Sequence, residues 1–174
     1  MGVEPSRRGF VLVSGPPASG KSTLAVELGA SLELPVLAKD VVKDALIDTL
    51  GAVDVQQSRN MGTVAVRVLI AVARSVGYGI VESVWHRYAL DLLSELPGSV
   101  VEVHCRCDTL VLRQRYQSRS QGRHAGYFDA ERDPAELWNV EVGSPIGGEW
   151  PMIVVDTTRP VDSGDVASQV LRLW

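Results

Sequence analysis

Gly15-Pro16-Pro17-Ala18-Ser19-Gly20-Lys21-Ser22 narrows what this chain can fold into more than any other stretch, because it fulfils G-x-x-x-x-G-K-[ST] at every defined position. It lies between an apolar run, Gly9 to Ser14 (GFVLVS), and a segment from Ser22 to about Leu32 whose Leu24, Leu28 and Leu32 share one helical face. A strand that turns through glycines into a helix aims consecutive backbone N–H groups into one hollow, and the helix adds the positive end of its dipole. An anion belongs there. Lys21 supplies a point charge for the β- and γ-phosphates of a nucleotide, and the Ser22 hydroxyl, followed by Thr23, suits Mg²⁺.

The remaining chain repeats the alternation of strand and helix. Strands are expected at Pro35 to Ala38, Gly79 to Ser83, Val100 to Cys105 and Met152 to Asp156. Helices are expected at Asp40 to Leu50 (stopped by Gly51), Ser58 to Val76, about Tyr88 to Leu96, Leu110 to Arg119 and Val166 to Leu173. The polar, glycine-containing run SQGRHAGYFDAERDPAE reads as a mobile loop. Strands apolar throughout, alternating with helices, predict an α/β fold whose parallel sheet is covered on both faces. At 174 residues the chain suits a single domain, 1–174. A hydrophobic share of 45% lets such a domain bury roughly two thirds of its unfolded surface without disulfides.

Charge and cysteine usage exclude several classes. A net charge of −4 is the wrong sign for a general nucleic-acid binder. Cys105 and Cys107 lie two apart on a predicted strand, where a disulfide would be strained, and no second ligand pair completes a zinc site. Reduced thiols, a polar N-terminus (MGVEPSRRGF) without a leader's apolar core, and the lack of any long apolar segment point to the cytoplasm, with no membrane partner.

With these motifs the chain resembles the P-loop kinases of the nucleoside and small-molecule type, a group that includes chloramphenicol phosphotransferase, the kinase half of polynucleotide kinase, gluconate kinase and zeta-toxin-like kinases. The resemblance implies a P-loop NTPase three-layer sandwich with strand order 2-3-1-4-5, an acceptor region at about 40–78 and a lid at about 118–133. It implies ATP and Mg²⁺ as cofactors and a small-molecule acceptor. An Asp after the second strand, here Asp40, is the implied base or orienter of the accepting hydroxyl. The basic residue three positions on, Lys43, is the implied substrate holder, and both side chains share a helical face. Asp40 also suits a plain helix N-cap. Of seventeen cationic residues only three are lysines, Lys21, Lys39 and Lys43, which singles out the phosphate loop and the surroundings of Asp40.

Further positions follow from the same resemblance. Glu82, ending the third strand, stands where an acidic residue serves the magnesium shell, a duty it shares as a candidate with Ser22 and Asp40. Trp85, His86 and Arg87 follow the carboxyl end of that strand, where α/β sheets bind ligands, or else pack and solvate. Arg115, Arg119 and Arg123 are the implied lid arginines that close over the phosphates, with Arg119 acting in catalysis beside Lys21. Thr157 and Arg159, after the fifth strand, are the implied border of the adenine. Regulatory GTPases are disfavoured, because no N-K-x-D follows a late strand and Asp48-Thr49-Leu50-Gly51 ends a helix. The apolar, small residues between Val41 and Tyr78 favour an antibiotic or metabolite as acceptor. A polynucleotide 5′-hydroxyl, held by Lys39, Lys43 and Arg59, is the alternative within kinases; a non-catalytic nucleotide binder or simple NTPase is the alternative outside them.

Overall fold

A computed structural model of the chain describes residues 9–120 and 122–174. The reading of the N-terminus as no leader, up to Arg8, and Gln121 of the expected lid lie outside these residues. The run Gly9–Ser14 forms β1, with all six residues buried, as a strand covered on both faces must be. It lies between β3 (Gly79–Glu82) and β4 (Ser99–Arg106), with β2 (Val36–Ala38) and β5 (Met152–Asp156) outside. Every pairing is parallel and the order is β2-β3-β1-β4-β5, as expected. Register sets Val13 beside Glu82, and Glu82 beside Ala38, so the carboxyl ends of the first three strands meet at one rim.

Helices α1 (Lys21–Leu32) and α7 (Ser163–Leu173) cover one face, where Leu24, Leu28, Val166 and Val170 pack on Val11, Val13, Val101 and Val103. On the other face α3 (Val55–Val76) and α4 (Leu90–Ser94) bury Val66, Leu69, Ile70 and Leu93 against Phe10, Leu12 and Val81. Each such fully buried side chain contributes about 1.5–3 kcal/mol of transfer free energy. α2 (Lys39–Leu50) follows β2 without a linker and packs on α3.

α3 begins three residues ahead of the expected Ser58. Asp54 caps it by accepting the Gln57 N–H at 2.7 Å, while the Gln57 side chain accepts from the Val53 N–H at 3.3 Å. The expected helix at Tyr88 to Leu96 is a 3₁₀ turn, Arg87–Ala89, leading into the short α4. After α5 (Thr109–Ser120), the run expected to be irregular holds 3₁₀ turns at Ala125–Tyr127 and Asp129–Glu131, then α6 (Pro134–Leu137). Its polar residues make local caps: His124 Nδ1 accepts the Gly126 N–H at 3.0 Å and Asp133 the Ala135 N–H at 2.8 Å. Cys105 is buried on β4, with its thiol pushed up to about 12 by burial, and Cys107 lies past the strand's end; both are free. Among the described residues no helix is long and apolar enough to cross a membrane.

Glu102, 1% exposed at the middle of β4, ties the segment before β5 to the sheet. Its carboxylate accepts from Ser14 Oγ at 2.6 Å, the Ile146 N–H at 3.0 Å and Trp150 Nε1 at 3.3 Å. His104 bridges Ser14 Oγ, at 2.8 Å, to the Gly143 carbonyl, at 3.1 Å. Glu102→Ala is expected to lower the unfolding free energy by about 1–3 kcal/mol, because it leaves the buried Ile146 N–H and the half-buried Trp150 Nε1 without this acceptor, while Ser14 Oγ keeps His104. Urea melts followed by circular dichroism measure it, and an unchanged midpoint contradicts the anchoring role.

Candidate active site

The phosphate loop takes a backbone that side chains forbid. Gly15 has φ +139°, and a Cβ there would lie 2.6 Å from the Cys105 carbonyl and 2.8 Å from Ser19 Oγ. Ala18 is held at φ +65°, a conformation costing a non-glycine residue about 1–3 kcal/mol, which the surrounding turn must offset. Gly20, at φ +85°, then starts α1. Lys21 is 6% exposed; its Nζ donates to the Pro16 carbonyl at 3.4 Å and lies 3.6 Å from Glu82. Burial lowers its pKa and outweighs the opposing pull of Glu82. A pocket of about 210 Å³ opens here, lined by Ala18, Gly20, Lys21, Ser22, Thr23 and the arginines of α5.

Arg115 and Arg119 of α5 are those arginines. Arg115 donates to the Thr157 and Thr158 carbonyls at 2.9 and 3.3 Å, which joins the loop after β5 to the pocket rim. Thr157 is buried and donates through Oγ1 to the Arg106 carbonyl at 3.0 Å. Arg159 is exposed and lines neither this pocket nor the larger one described next. Among the described residues the buried Nε of Arg119, which lines the pocket, has no hydrogen-bond partner; Ser19 Oγ is also unpartnered, but Ser19 is 0% exposed and does not line the pocket. An orphan such as the Arg119 Nε costs about 1–3 kcal/mol, and a phosphate oxygen is an acceptor that suits it.

A larger cavity of about 440 Å³ adjoins the first, and Lys21 and Arg119 line both. Asp40 and Lys43 face it from α2, Ser58, Arg59 and Thr63 from α3, and Glu82, Ser83 and His86 from β3 and the loop beyond. Asp40 is held between Lys39 at 2.6 Å and Arg123 at 2.8 Å. Burial works to raise its pKa, but Lys39 and Arg123 outweigh it and keep the carboxyl well below the usual carboxylate range. It is not the helix cap: Ala38 occupies that position and Asp40 lies in the first turn.

The apolar wall expected from the composition of 41–78 is not what the cavity presents. Val64, Val68 and Val72 face solvent and Leu69 and Ile70 face the sheet, so charged and hydroxyl-bearing groups of α3 are left to line the cavity beside Val66. A helix has several faces, and composition cannot say which one meets a ligand. Trp85, expected at the substrate, is 3% exposed in the core. Arg87 is exposed and outside the cavity lining, while His86 lines it, 3.5 Å from Glu141.

The expected lid is docked. Arg123 does not reach the small pocket; it bonds Asp40 and Asp129 (3.2 Å) with its guanidinium 3.4 Å above the Tyr127 ring. His124 meets Asp48 at 3.1 Å, and Gly126 lies so close to Ile47 that a Cβ would stand 2.5 Å from its methyl. The segment's far end is held too. Glu136 pairs with Arg59 of α3 at 2.6 Å, and Trp138 donates through Nε1 to the Pro17 carbonyl at 3.3 Å. Tyr116, Leu137 and Ala18 pack together beneath Trp138. Residues 122–138 therefore strap α2 and α3 to the phosphate loop. Tyr127, Arg132, Glu136 and Trp138 were not singled out from the sequence; the aromatics inside so polar a run were the available signal.

The residue set suits a magnesium nucleotide, with Lys21 and the unpartnered Nε of Arg119 for phosphate and the hard oxygens of Ser22, Glu82 and Asp40 near Lys21 for the metal. Residues 11–139 match the AAA domain family AAA_18. A provisionally named kinase from Chloroflexus aurantiacus J-10-fl is 32% identical with a TM-score of 0.84, covering 96% of this chain and 98% of that one. A sugar kinase from Janibacter sp. HTCC2649 is 19% identical (TM-score 0.61; 95% and 94% covered), and the APS kinase CysC of Mycobacterium tuberculosis 17% identical (TM-score 0.62; 97% and 98% covered). At such identities these two report the fold. No curated protein matches the chain. On its motif, its strand order and the match over residues 11–139, the chain belongs to the AAA_18 AAA-domain family and has the P-loop kinase fold.

Proposed function

We propose that the protein is an ATP-dependent phosphotransferase that moves the γ-phosphate to a hydroxyl of a small molecule held in the larger cavity. The observation that carries this is the junction: a phosphate pocket and an acceptor-sized cavity share Lys21 and Arg119, and Asp40 faces the acceptor side. In this reading the loop would hold the phosphates of ATP, and the Ser22 hydroxyl with Glu82 would hold Mg²⁺, which would supply charge neutralisation there. Lys21 and Arg119 neutralise the charge that spreads over the transferring group. Asp40, with its pKa held low, orients the accepting hydroxyl, a role that suits a loose transition state in which proton transfer comes late. Lys43, on the same face, holds the acceptor.

A cavity volume near 440 Å³ suits a metabolite-sized ligand, and Arg59, which a polynucleotide would need, is already paired with Glu136. This favours a small acceptor over a polynucleotide. A non-catalytic nucleotide binder has no use for the second cavity. Phosphorylation of 5′-hydroxyl oligonucleotides in preference to small alcohols would overturn the choice of acceptor.

Closure gives a further expectation. Part of the strap's hold on α2 is the His124–Asp48 pair, whose two side chains are 39% and 67% exposed. Exposed pairs are worth about 0–1 kcal/mol, so this pair adds little to the hold that Arg123 and Tyr127 supply. Amide exchange across 122–133 is expected to slow measurably when a non-hydrolysable ATP analogue binds. Equal exchange with and without the analogue contradicts a lid role for this segment.

A further inference from the structure

Lys43 is a buried cation without an anion. It is 4% exposed, its Nζ donates to Ser58 Oγ at 2.9 Å, and it lies 4.2 Å over the Tyr127 ring. Among the described residues no carboxylate forms an ion pair with it. The nearest candidate, Asp40, is already engaged by Lys39 and Arg123. Burial first, then the charges of Lys39, Arg132 and Arg123, push its ammonium down to about 7, against the weaker pull of Asp40. Buried charges are ordinarily paired, because an unpaired one costs several kcal/mol.

Arg132 shares the cavity and is similarly incomplete. It reaches Glu136 at 2.7 Å, yet Glu136 is shared with Arg59, and among the described residues the buried Nε of Arg132 has no hydrogen-bond partner. A hydroxyl-rich neutral acceptor could bond to these donors but would leave the local positive charge uncompensated. A carboxylate or phosphate group would satisfy both, since charge-assisted hydrogen bonds are the strong ones and an arginine offers its donors in a fixed fork.

We infer that Lys43 and Arg132 form an anion subsite in the acceptor cavity, so that the acceptor is an acidic alcohol: one molecule bearing the hydroxyl to be phosphorylated and, on another carbon, a carboxylate or phosphate ester. This rests on the proposed acceptor role of the cavity and deepens it. The hydroxyl lies at Asp40 and the anion is held at Lys43, one helical turn away on α2. The anion takes no part in bond making.

The test has a binding arm and a turnover arm. In the first, titration calorimetry on protein saturated with AMPPNP uses D-glycerate and glycerol 3-phosphate as probes, with glycerol as the neutral control. Saturable binding of an acidic probe, at least about 10-fold tighter than glycerol and weakened about 10-fold or more by Lys43→Met and by Arg132→Gln, is the expected result. Preference for one acid separates a carboxylate from a phosphate site. Binding of glycerol as tight as that of both acids, or acid binding unchanged in both variants, overturns the subsite.

In the second arm, matched sets (glycerol, glycerate, glycerol 3-phosphate; glucose, gluconate, glucose 6-phosphate) are offered with ATP. An acidic member is expected to show the higher kcat/KM, and Lys43→Met to raise its KM about 10-fold or more while KM for ATP stays within about twofold. A neutral member preferred in both sets overturns the inference and leaves the kinase reading standing. Acid binding in the first arm without any phosphotransfer supports the subsite and counts against the kinase reading.

Discussion

Asp40→Asn is expected to lower kcat by about 10²–10⁴-fold, the usual worth of a group positioned on the reacting proton, while nucleotide affinity stays within about twofold. The exchange is nearly isosteric, and Asp40 lies in the first turn of α2 rather than at its N-cap position, so loss of a cap cannot account for a fall. The Asn carbonyl can still accept from Arg123, which bonds Asp40 at 2.8 Å. What the variant loses is the negative charge between Lys39 and Arg123 and the acceptor for the hydroxyl's proton. Magnesium titration separates two roles for that charge. A metal ligand raises the concentration of Mg²⁺ needed for half-maximal rate, whereas an orienting carboxylate leaves it unchanged, and the second outcome is expected. Parental turnover by Asp40→Asn would remove Asp40 from the chemistry and direct attention to Glu82 and His86, which line the same cavity.

Lys21→Ala is expected to lower phosphotransfer by at least about 10³-fold and to weaken ATP binding, because it deletes the cation that spans the β- and γ-phosphates. The substitution has a second effect that must be kept apart from the first. Glu82 is 4% exposed and 3.6 Å from Lys21, so Lys21→Ala strands a buried carboxylate, a change that typically costs about 3–5 kcal/mol. The double variant Lys21→Ala/Glu82→Gln removes that charge. It is expected to regain most of the thermal stability and none of the turnover. Affinity and rate both within about twofold of the parent, in a folded Lys21→Ala protein, contradict the phosphate-loop assignment.

The central part of the fold was legible because its signals are local. GFVLVS, the glycine-rich turn and the leucine spacing of α1 each specify their own element, and apolar strands alternating with helices imply the parallel sheet. The start of α3 was written in the Asp54–Gln57 capping pair but was masked by the apolar periodicity that starts later. Asp40 and Lys43 were legible as a pair through the resemblance to polynucleotide kinases, whose Asp and basic residue stand three apart, and both reach the cavity from one face of α2.

What the sequence could not display were contacts between distant segments. Arg123 lies 83 positions from Asp40 and Arg59 77 from Glu136, and no periodicity encodes either meeting. Trp85 was misplaced for a related reason: the end of a parallel strand offers both a core face and a rim, and the side chain took the core. The strap looked like an irregular loop because its residues are polar. That polarity is spent on caps and on ion pairs with α2 and α3, which appear only once the chain is folded.

The most direct measurement is ³¹P NMR of the purified protein with ATP, Mg²⁺ and a set of small alcohols, hydroxy acids and 5′-hydroxyl oligonucleotides. The account predicts ADP together with a new phosphate monoester on a small acceptor, formed in equal amounts, and loss of that monoester signal in Asp40→Asn. ADP and inorganic phosphate alone, released at the same rate whether or not an alcohol is present, would contradict it.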